Sequence, residues 1–147
     1  KAPTFTLEAG GGRIVNLKDL RGKSVVLYFY PKDSTPGCTT EACDFRDNIQ
    51  SFSRNNVTVI GISKDSIKRH DNFKTKYDLP FTLASDNNNK VCEKYGTWVE
   101  KSMYGKKYMG IERSTFLIDS DGIIRKIWRK VRVSGHVEDV LKSTETL

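Results

Sequence analysis

The stretch from Ser24 to Arg54 constrains the fold most strongly, because a buried strand, a rigid loop and a helix follow one another there. The apolar run Ser24–Tyr30 is rich in Val, Tyr and Phe, a composition typical of a buried strand. Two prolines and a glycine within Pro31–Gly37 then interrupt the chain as a loop. Beyond the loop, apolar side chains recur at helical spacing, namely Ala42, Phe45, Ile49 and Phe52. The pattern predicts a helix from about Cys38 to Arg54, with Cys38 at its start.

A cysteine at a helix start is placed for reactivity. The first N–H groups of a helix lack intrahelical partners, and the aligned peptide dipoles put partial positive charge there. Both effects stabilise a thiolate, which is the nucleophilic form of cysteine. Cys38 also stands three residues before Glu41, as the hydroxyl residue does in a capping box. The alternative is a buried inert thiol, and a Pro-Gly loop at a helix start is a poor place for one.

Residues around this cysteine and a second block later in the chain resemble a known family. The spacing Pro31-x-x-x-Thr35-x-x-Cys38 resembles the active-site signature of peroxiredoxins, the thiol peroxidases. The longer string Thr35–Cys43 and a second block, Met103–Asp119, are similar to the bacterioferritin comigratory protein or peroxiredoxin Q subfamily. The similarity extends over nearly the whole chain. The resemblance implies a thiol-dependent peroxidase that reduces hydrogen peroxide and alkyl hydroperoxides in antioxidant defence.

Peroxide reduction gives roles to several of these residues. Cys38 supplies the sulfur that attacks one peroxide oxygen and becomes a sulfenic acid. The Thr35 hydroxyl, three residues earlier, is expected to donate to the sulfur or to the bound peroxide, and Pro31 holds the loop in shape. The resemblance points to Arg113 as the cation that holds the thiolate and polarises the peroxide. The alternative for Arg113 is a surface ion pair with Glu112 or another acid.

The resemblance also implies that Cys43 is the resolving thiol, which forms a disulfide with the oxidised Cys38. Five residues of helix separate the two, so their Cα atoms would lie roughly 8–9 Å apart. A disulfide spans at most about 7 Å, so the helix start would have to unwind in every turnover. The alternative for Cys43 is a helix residue that faces the core. Cys92 is expected to be structural, with a resolving role as its alternative.

The rest of the chain alternates predicted strands and helices around this unit. Strands are predicted at Phe5–Ala9, Arg13–Leu17, Val57–Ser63, Phe81–Ala84, Ser114–Asp119 and Ile123–Val131, with hairpin turns at Gly10–Gly12 and Ser120–Gly122. Helices are predicted from Ser63 or Asp65 to Tyr77 and at Asn88–Tyr95, and a last helix follows Gly135 and His136 and reaches about Ser143. Thr97–Ile111 is expected to be a loop. The strand–helix–strand order implies a right-handed parallel crossover. We therefore expect one α/β domain over residues 1–147, a thioredoxin-like sandwich with a central mixed sheet and an N-terminal β-hairpin.

Histidine and cysteine spacings do not predict a metal centre. His70 lies among charged residues of a predicted helix and is expected to be exposed, whereas His136 is expected to cap or pack the last helix. Two separated histidines and no Cys-x-x-Cys pair do not form a zinc pattern. The glycines at Gly10–Gly12 join two strands, so they do not form a phosphate-binding loop. We expect no cofactor.

The composition indicates the cellular compartment and the charge of the partners. The formal charge is +7 with a pI of about 9.3, which favours acidic partners. Three cysteines indicate a reducing compartment, so a cytoplasmic location is expected. No apolar stretch is long enough for a membrane helix and no signal peptide is visible, although a start at Lys1 leaves a trimmed or removed leader open. The resemblance implies a monomer that a thioredoxin-type dithiol recycles.

Two other functions compete with the peroxidase. A disulfide oxidoreductase of similar fold would resemble Cys-x-x-Cys, and the four-residue gap between Cys38 and Cys43 disfavours it. A nucleic-acid-binding module would use the basic segment Arg125–Arg132, which has five cations in eight residues around an aromatic. That segment alternates like a strand with one solvated face, so we expect no nucleic-acid partner.

Overall fold

Seven strands form one mixed sheet, and helices cover both of its faces. The computed structural model describes residues 1–147. The strands are β1 Thr6–Ala9, β2 Arg13–Asn16, β3 Ser24–Phe29, β4 Val57–Ser63, β5 Thr82–Ser85, β6 Trp98–Met103, β7 Lys106–Ile111, β8 Ser114–Ile118 and β9 Ile124–Trp128. The helices are α1 Pro36–Asp47, α2 Ile49–Arg54, α3 Ile67–Tyr77, α4 Lys90–Lys94 and α5 His136–Thr144. The sheet order is β2-β1-β5-β4-β3-β8-β9, and β6 and β7 form a separate pair.

Strands β3 and β4 form the centre of the sheet because their side chains are apolar on both faces. Every residue of β3 is buried, and β3 pairs in parallel with β4 and antiparallel with β8. A parallel pair with a helical crossover confirms the predicted strand–helix–strand unit. The hairpin of β1 and β2, with Thr6 opposite Asn16, confirms the predicted N-terminal β-hairpin. The architecture is thioredoxin-like, which confirms the fold predicted from the order of strands and helices.

Aromatic packing fixes helix α1 against the sheet. The Tyr28 and Phe45 rings stack with their centroids 4.6 Å apart, and Phe45 also contacts Phe52 of α2. Fully burying one such side chain contributes roughly 1.5–3 kcal/mol, so this contact strongly favours one placement of the helix. The start of α1 therefore lies at the carboxyl end of β3, where ligand sites in α/β sheets usually form.

The helix predicted at Cys38–Arg54 begins earlier and is divided in two. Pro36 is its first residue, because the fixed φ of proline suits a first turn and its missing N–H is not needed there. Helix α1 ends at Asp47, and α2 begins at Ile49. Asn48 between them has φ −110° and ψ 8°, outside the helical region, and its side-chain amide donates to the Asp44 carbonyl.

The prediction of a loop at Thr97–Ile111 is wrong, since this segment forms the hairpin of β6 and β7. Met103 pairs with Lys106 across a two-residue turn of Tyr104 and Gly105. Both turn residues have positive φ, 52° and 77°, as a type I′ turn requires. The two-residue connection matches the right-handed twist of the strands, so a hairpin forms although its side chains are mostly exposed.

The remaining boundaries differ little from prediction. Helix α3 is capped by Ser66, whose hydroxyl accepts from the Arg69 N–H, and not by Ser63 or Asp65. Strand β4 has the predicted bounds, and residues 119–123 connect β8 to β9 as an antiparallel hairpin. None of the five helices has the length and apolarity needed to span a bilayer.

Candidate active site

Cys38 lies in the first turn of α1, as predicted. It is the third residue of the helix, and its exposure is 1%. Thr35 precedes the helix with extended backbone, and its carbonyl accepts the N–H of Thr39 at 2.8 Å. The thiol is therefore enclosed at the positive end of the helix dipole, where a thiolate is stabilised.

Arg113 is brought to this thiol by the register of two strands. Phe29 at the end of β3 pairs with Ser114 at the start of β8, so the preceding Arg113 lies beside the loop that follows β3. Its Nη2 atom is 3.3 Å from the Cys38 sulfur, and its Nη1 atom donates to Glu41 Oε1 at 2.6 Å. The planar guanidinium thus holds a sulfur and a carboxylate with separate nitrogens, which a lysine could not do.

Glu41 is the acidic partner of Arg113, in place of the suggested surface pair with Glu112. Its side chain has no solvent exposure, and its Oε2 atom has no hydrogen-bond partner. Burial raises the pKa of Glu41 to about 7, although the neighbouring Arg113 charge opposes that shift. The capping-box comparison is wrong, because the carboxylate reaches Arg113 and not the helix start.

Gly37 leaves the space that the guanidinium occupies. A Cβ atom on Gly37 would lie 3.2 Å from Arg113 Nη2, closer than ordinary van der Waals contact. Its backbone is helical, so glycine is not required there for conformation. The absence of a side chain at this position instead permits Arg113 to approach Cys38.

Thr35 and Pro31 line the loop, but neither contacts the sulfur by a hydrogen bond. The Thr35 hydroxyl donates to the Lys32 carbonyl at 2.8 Å, so the expected donation to Cys38 is not observed. Pro31 is exposed and follows the last residue of the buried strand region, Tyr30. Both residues shape the loop in this structure, and a hydroxyl that already donates can still accept.

The other two cysteines differ in their surroundings, and all three are free. Cys43 is half-buried within the intact helix α1, five residues after Cys38. Cys92 is fully buried in α4, and burial raises the pKa of its thiol. Its backbone N–H donates to the buried carboxylate of Asp86 at 2.8 Å. These surroundings agree with the expected structural role of Cys92.

The expectation that His70 is exposed is wrong. Its side chain is completely buried, and its Nδ1 atom lies 2.6 Å from Asp33 Oδ2 in the loop before Cys38. The available signal was helical spacing, because His70 precedes the buried Phe73 by three residues on α3 and shares its face. The partner Asp33 lies 37 residues away and could not be found by any local pattern.

His136 packs the last helix, as expected. It is the first residue of α5, and its Nε2 atom lies 2.8 Å from the Thr115 hydroxyl. Burial lowers the pKa of His136 to about 4, so the ring is neutral near pH 7. Its ring meets Trp128 edge to face, which fixes α5 on the sheet.

The basic segment at the edge of the sheet is exposed, as the solvated-face interpretation predicts. Arg125, on β9, pairs with Asp119 at 2.5 Å. Arg129 donates to the carbonyls of Tyr95 and Gly96. Lys126 Nζ lies 3.9 Å from Asp139 Oδ2, so three of the five cations have partners within the chain.

A thioredoxin-like fold that presents a helix-start cysteine to a fixed arginine defines the thiol peroxidase class. The AhpC/TSA family model matches residues 1–127. The chain belongs to that family, within its Bcp, or peroxiredoxin Q, group of peroxiredoxins.

Relatives match the chain over nearly its whole length. A bcp relative from Coxiella burnetii is 60% identical over 141 residues, covering 96% of this chain and 93% of its own. Peroxiredoxin Bcp of Bacillus subtilis is 51% identical over 147 residues, covering 100% of this chain and 94% of its own. A structure of the Xanthomonas campestris bacterioferritin comigratory protein has a TM-score of 0.93 at 43% identity, covering 97% of this chain and 90% of that one. The enzyme is therefore a peroxiredoxin.

Proposed function

We propose that the chain reduces hydrogen peroxide and organic hydroperoxides through Cys38, with Arg113 as the activating cation and Cys43 as the resolving thiol. The observation that carries this proposal is the 3.3 Å contact between Arg113 Nη2 and the Cys38 sulfur at the start of α1. The structural study of the Xanthomonas campestris relative concerns alkyl peroxide reduction by that protein. This supports organic hydroperoxides as substrates here.

The first step is an in-line displacement at oxygen. The Cys38 thiolate attacks one peroxide oxygen, the O–O bond breaks, and the other oxygen leaves as alkoxide or hydroxide, which takes up a proton. The sulfur is oxidised to sulfenic acid and the peroxide is reduced to an alcohol or water. The Arg113 guanidinium faces the sulfur and stabilises the negative charge as it moves onto oxygen. Thr35 and Pro31 hold the loop against which the peroxide binds.

The second step is disulfide formation with Cys43. The Cys43 sulfur attacks the sulfenic sulfur, a disulfide forms and water leaves. Both cysteines lie in the same intact helix, and five helical residues separate their Cα atoms by roughly 8–9 Å. Because a disulfide spans at most about 7 Å, α1 unwinds locally before the bond closes.

A small acidic dithiol protein of the thioredoxin type completes the cycle, with the chain acting as a monomer in the reducing cytoplasm. The exposed Lys106 and Lys107 on β7 and the basic edge at Arg125–Arg132 supply positive charge for docking. Electrostatic steering falls steeply with ionic strength. We expect the rate of disulfide reduction, measured at saturating peroxide, to fall as the salt concentration rises. The rate should also be lower in K106E/K107E than in the wild type. A rate independent of salt would exclude charge-steered docking.

Three cysteine variants test the assignment of the thiols. Peroxide consumption with dithiothreitol should be abolished in Cys38→Ser. Without reductant, Cys43→Ser should accumulate sulfenic acid and form no disulfide, whereas Cys92→Ser, the matched control, should turn over normally with dithiothreitol. Turnover in Cys38→Ser, or a Cys38–Cys92 disulfide by mass spectrometry, would overturn the assignment. Dithiothreitol separates this test from any question about the natural reductant.

A further inference from the structure

A buried polar network connects the loop before Cys38 to helix α3. Asp33 Oδ2 lies 2.6 Å from His70 Nδ1, and Asp33 Oδ1 accepts from the Tyr30 hydroxyl at 2.5 Å. His70 Nε2 lies 3.1 Å from the Ala84 carbonyl oxygen on β5. Asp33, His70 and Tyr30 are each no more than 2% exposed. The network therefore joins the loop, α3 and the sheet in the interior, where satisfied hydrogen bonds are stronger than at the surface.

The hydrogen-bond geometry fixes how many protons the network holds. A carbonyl oxygen can only accept, so the contact with Ala84 requires a proton on His70 Nε2. The 2.6 Å contact on the other side of the ring then requires one further proton between Nδ1 and the Asp33 carboxylate. Burial raises the pKa of Tyr30, so its hydroxyl keeps its proton and donates. Asp33 and His70 thus share one proton in a pair without net charge.

The same loop carries backbone strain that requires restraint. Ser34, directly after Asp33, has φ 65°, in the left-handed region that residues other than glycine rarely adopt. The Asp33 N–H donates to Asp65 Oδ2 at 2.7 Å, and the Thr35 hydroxyl donates to Lys32 on the other side of Ser34. Strained residues persist where surrounding contacts hold them, and they cluster at functional sites.

Asp33, Asp65 and His70 also form a group of potential metal ligands, but their geometry indicates proton sharing. A metal ion would have to lie about 2 Å from each ligand atom, which keeps the ligands well apart from one another. Asp33 and His70 instead contact each other directly at 2.6 Å. Asp65 Oδ2 is already used by the Asp33 N–H and the Ser63 hydroxyl.

We propose that the Asp33–His70 pair positions the loop before Cys38. The pair fixes the strained backbone of this loop, so that Cys38 is held at Arg113 for peroxide attack. The proposal rests on Cys38 being the attacking thiol. It implies a split between the two chemical steps. Attack uses the loop in this fixed geometry, whereas disulfide closure requires the region around Cys38 to leave it. Loss of the pair should therefore slow attack and leave closure unchanged or faster.

Variants at Asp33 and His70 separate the effect of the hydrogen bond between these residues, here called the link, from the effect of the proton that they share. Asp33→Ala removes the link and leaves a neutral imidazole. In Asp33→Asn, the amide can donate to Nδ1 and its oxygen can accept from Tyr30, so the link remains without the shared proton. The double variant D33N/H70F lacks the link but keeps a ring of similar volume and has no unpaired charge. It replaces Asp33→Ala in the test if Asp33→Ala does not fold. Thr144→Ala, in α5, loses a hydrogen bond with Asn55 at a buried position away from this loop and serves as the stability control.

Two rates are measured in each variant without reductant. The second-order rate of Cys38 oxidation is followed by rapid mixing with hydrogen peroxide, and the first-order rate of disulfide closure by alkylation and mass spectrometry. We expect oxidation to fall about tenfold or more in Asp33→Ala and D33N/H70F, as imprecise positioning costs this much, with closure unchanged or faster. Asp33→Asn should recover most of the oxidation rate, and Thr144→Ala should change neither rate.

A wild-type oxidation rate in either folded variant that lacks the link would overturn the proposal. So would an equal fall in both rates, since that would reflect general destabilisation. These outcomes are distinct from failure of the proposed function, which would appear as activity in Cys38→Ser.

Discussion

The Nη1 atom of Arg113 lies 2.6 Å from Oε1 of Glu41, so a carboxylate without solvent exposure holds the cation that faces the reactive thiol. The pair joins the residue directly before β8 to the first turns of α1, and the two residues are 72 positions apart in the chain. Breaking a buried pair by removing one partner is strongly destabilising, because an uncompensated charge remains. Substitutions that keep a charge or a hydrogen bond are therefore the informative ones.

Arg113→Lys should slow the oxidation of Cys38 by one or more decades while the chain remains folded. Lysine keeps the charge beside Glu41 but cannot present two nitrogens in a fixed plane to the carboxylate and the sulfur. Stopped-flow mixing with peroxide measures this rate. Arg129→Lys is the matched control, since Arg129 contacts the Tyr95 and Gly96 carbonyls and not Cys38. An unchanged rate in Arg113→Lys would remove Arg113 from the mechanism.

Glu41→Gln should change how stability depends on pH. Burial raises the pKa of Glu41 from 4.5 to about 7, so the folded protein binds this proton more tightly than the unfolded chain. The stabilisation from Glu41 is complete below pH 4.5 and is lost as pH rises to about 7. The free energy of unfolding of the wild type should thus fall relative to Glu41→Gln across this interval. Denaturant titrations at several pH values measure the difference, and a constant difference would contradict the prediction.

Gly37→Ala should have opposite effects on stability and activity. Alanine is favoured over glycine within a helix by about 0.5–1 kcal/mol, and Gly37 has helical backbone. The added Cβ would lie 3.2 Å from Arg113 Nη2 and push the guanidinium away from the sulfur. We expect an unchanged or higher melting temperature together with slower Cys38 oxidation. Equal activity in a stabilised variant would show that Arg113 tolerates the displacement.

The sequence predicted the elements whose pattern is local and strong. Strand β4 has the predicted bounds because Val57–Ser63 is one continuous apolar run, and Cys38 was located by the loop-to-helix transition alone. The hairpin at Trp98–Ile111 was missed because its strands are mostly exposed and carry little apolar alternation. Its only strong signal was the two-residue turn that ends in Gly105.

The contacts around the thiol depend on tertiary structure, and local pattern could not supply them. The family resemblance indicated Arg113 as the cation beside the thiol. Without the resemblance, an isolated arginine next to Glu112 would be interpreted as a surface charge. Glu41 and His70 lie on helices among polar neighbours. Only folding brings Arg113 to Glu41 and Asp33 to His70. Burial of a charged residue depends on such distant partners, which is why both were misassigned from sequence.

The most direct test of the proposed cycle is a disulfide map of the protein after reaction with one equivalent of hydrogen peroxide. We predict a Cys38–Cys43 bond, with Cys92 alkylated only after unfolding. Amide exchange should then be faster at residues 38–45 than in the reduced protein, with little change in β4 and β8, because opening one helix end is a local event. A Cys38–Cys43 bond with undiminished protection of α1, or Cys38 recovered as a free thiol, would contradict it.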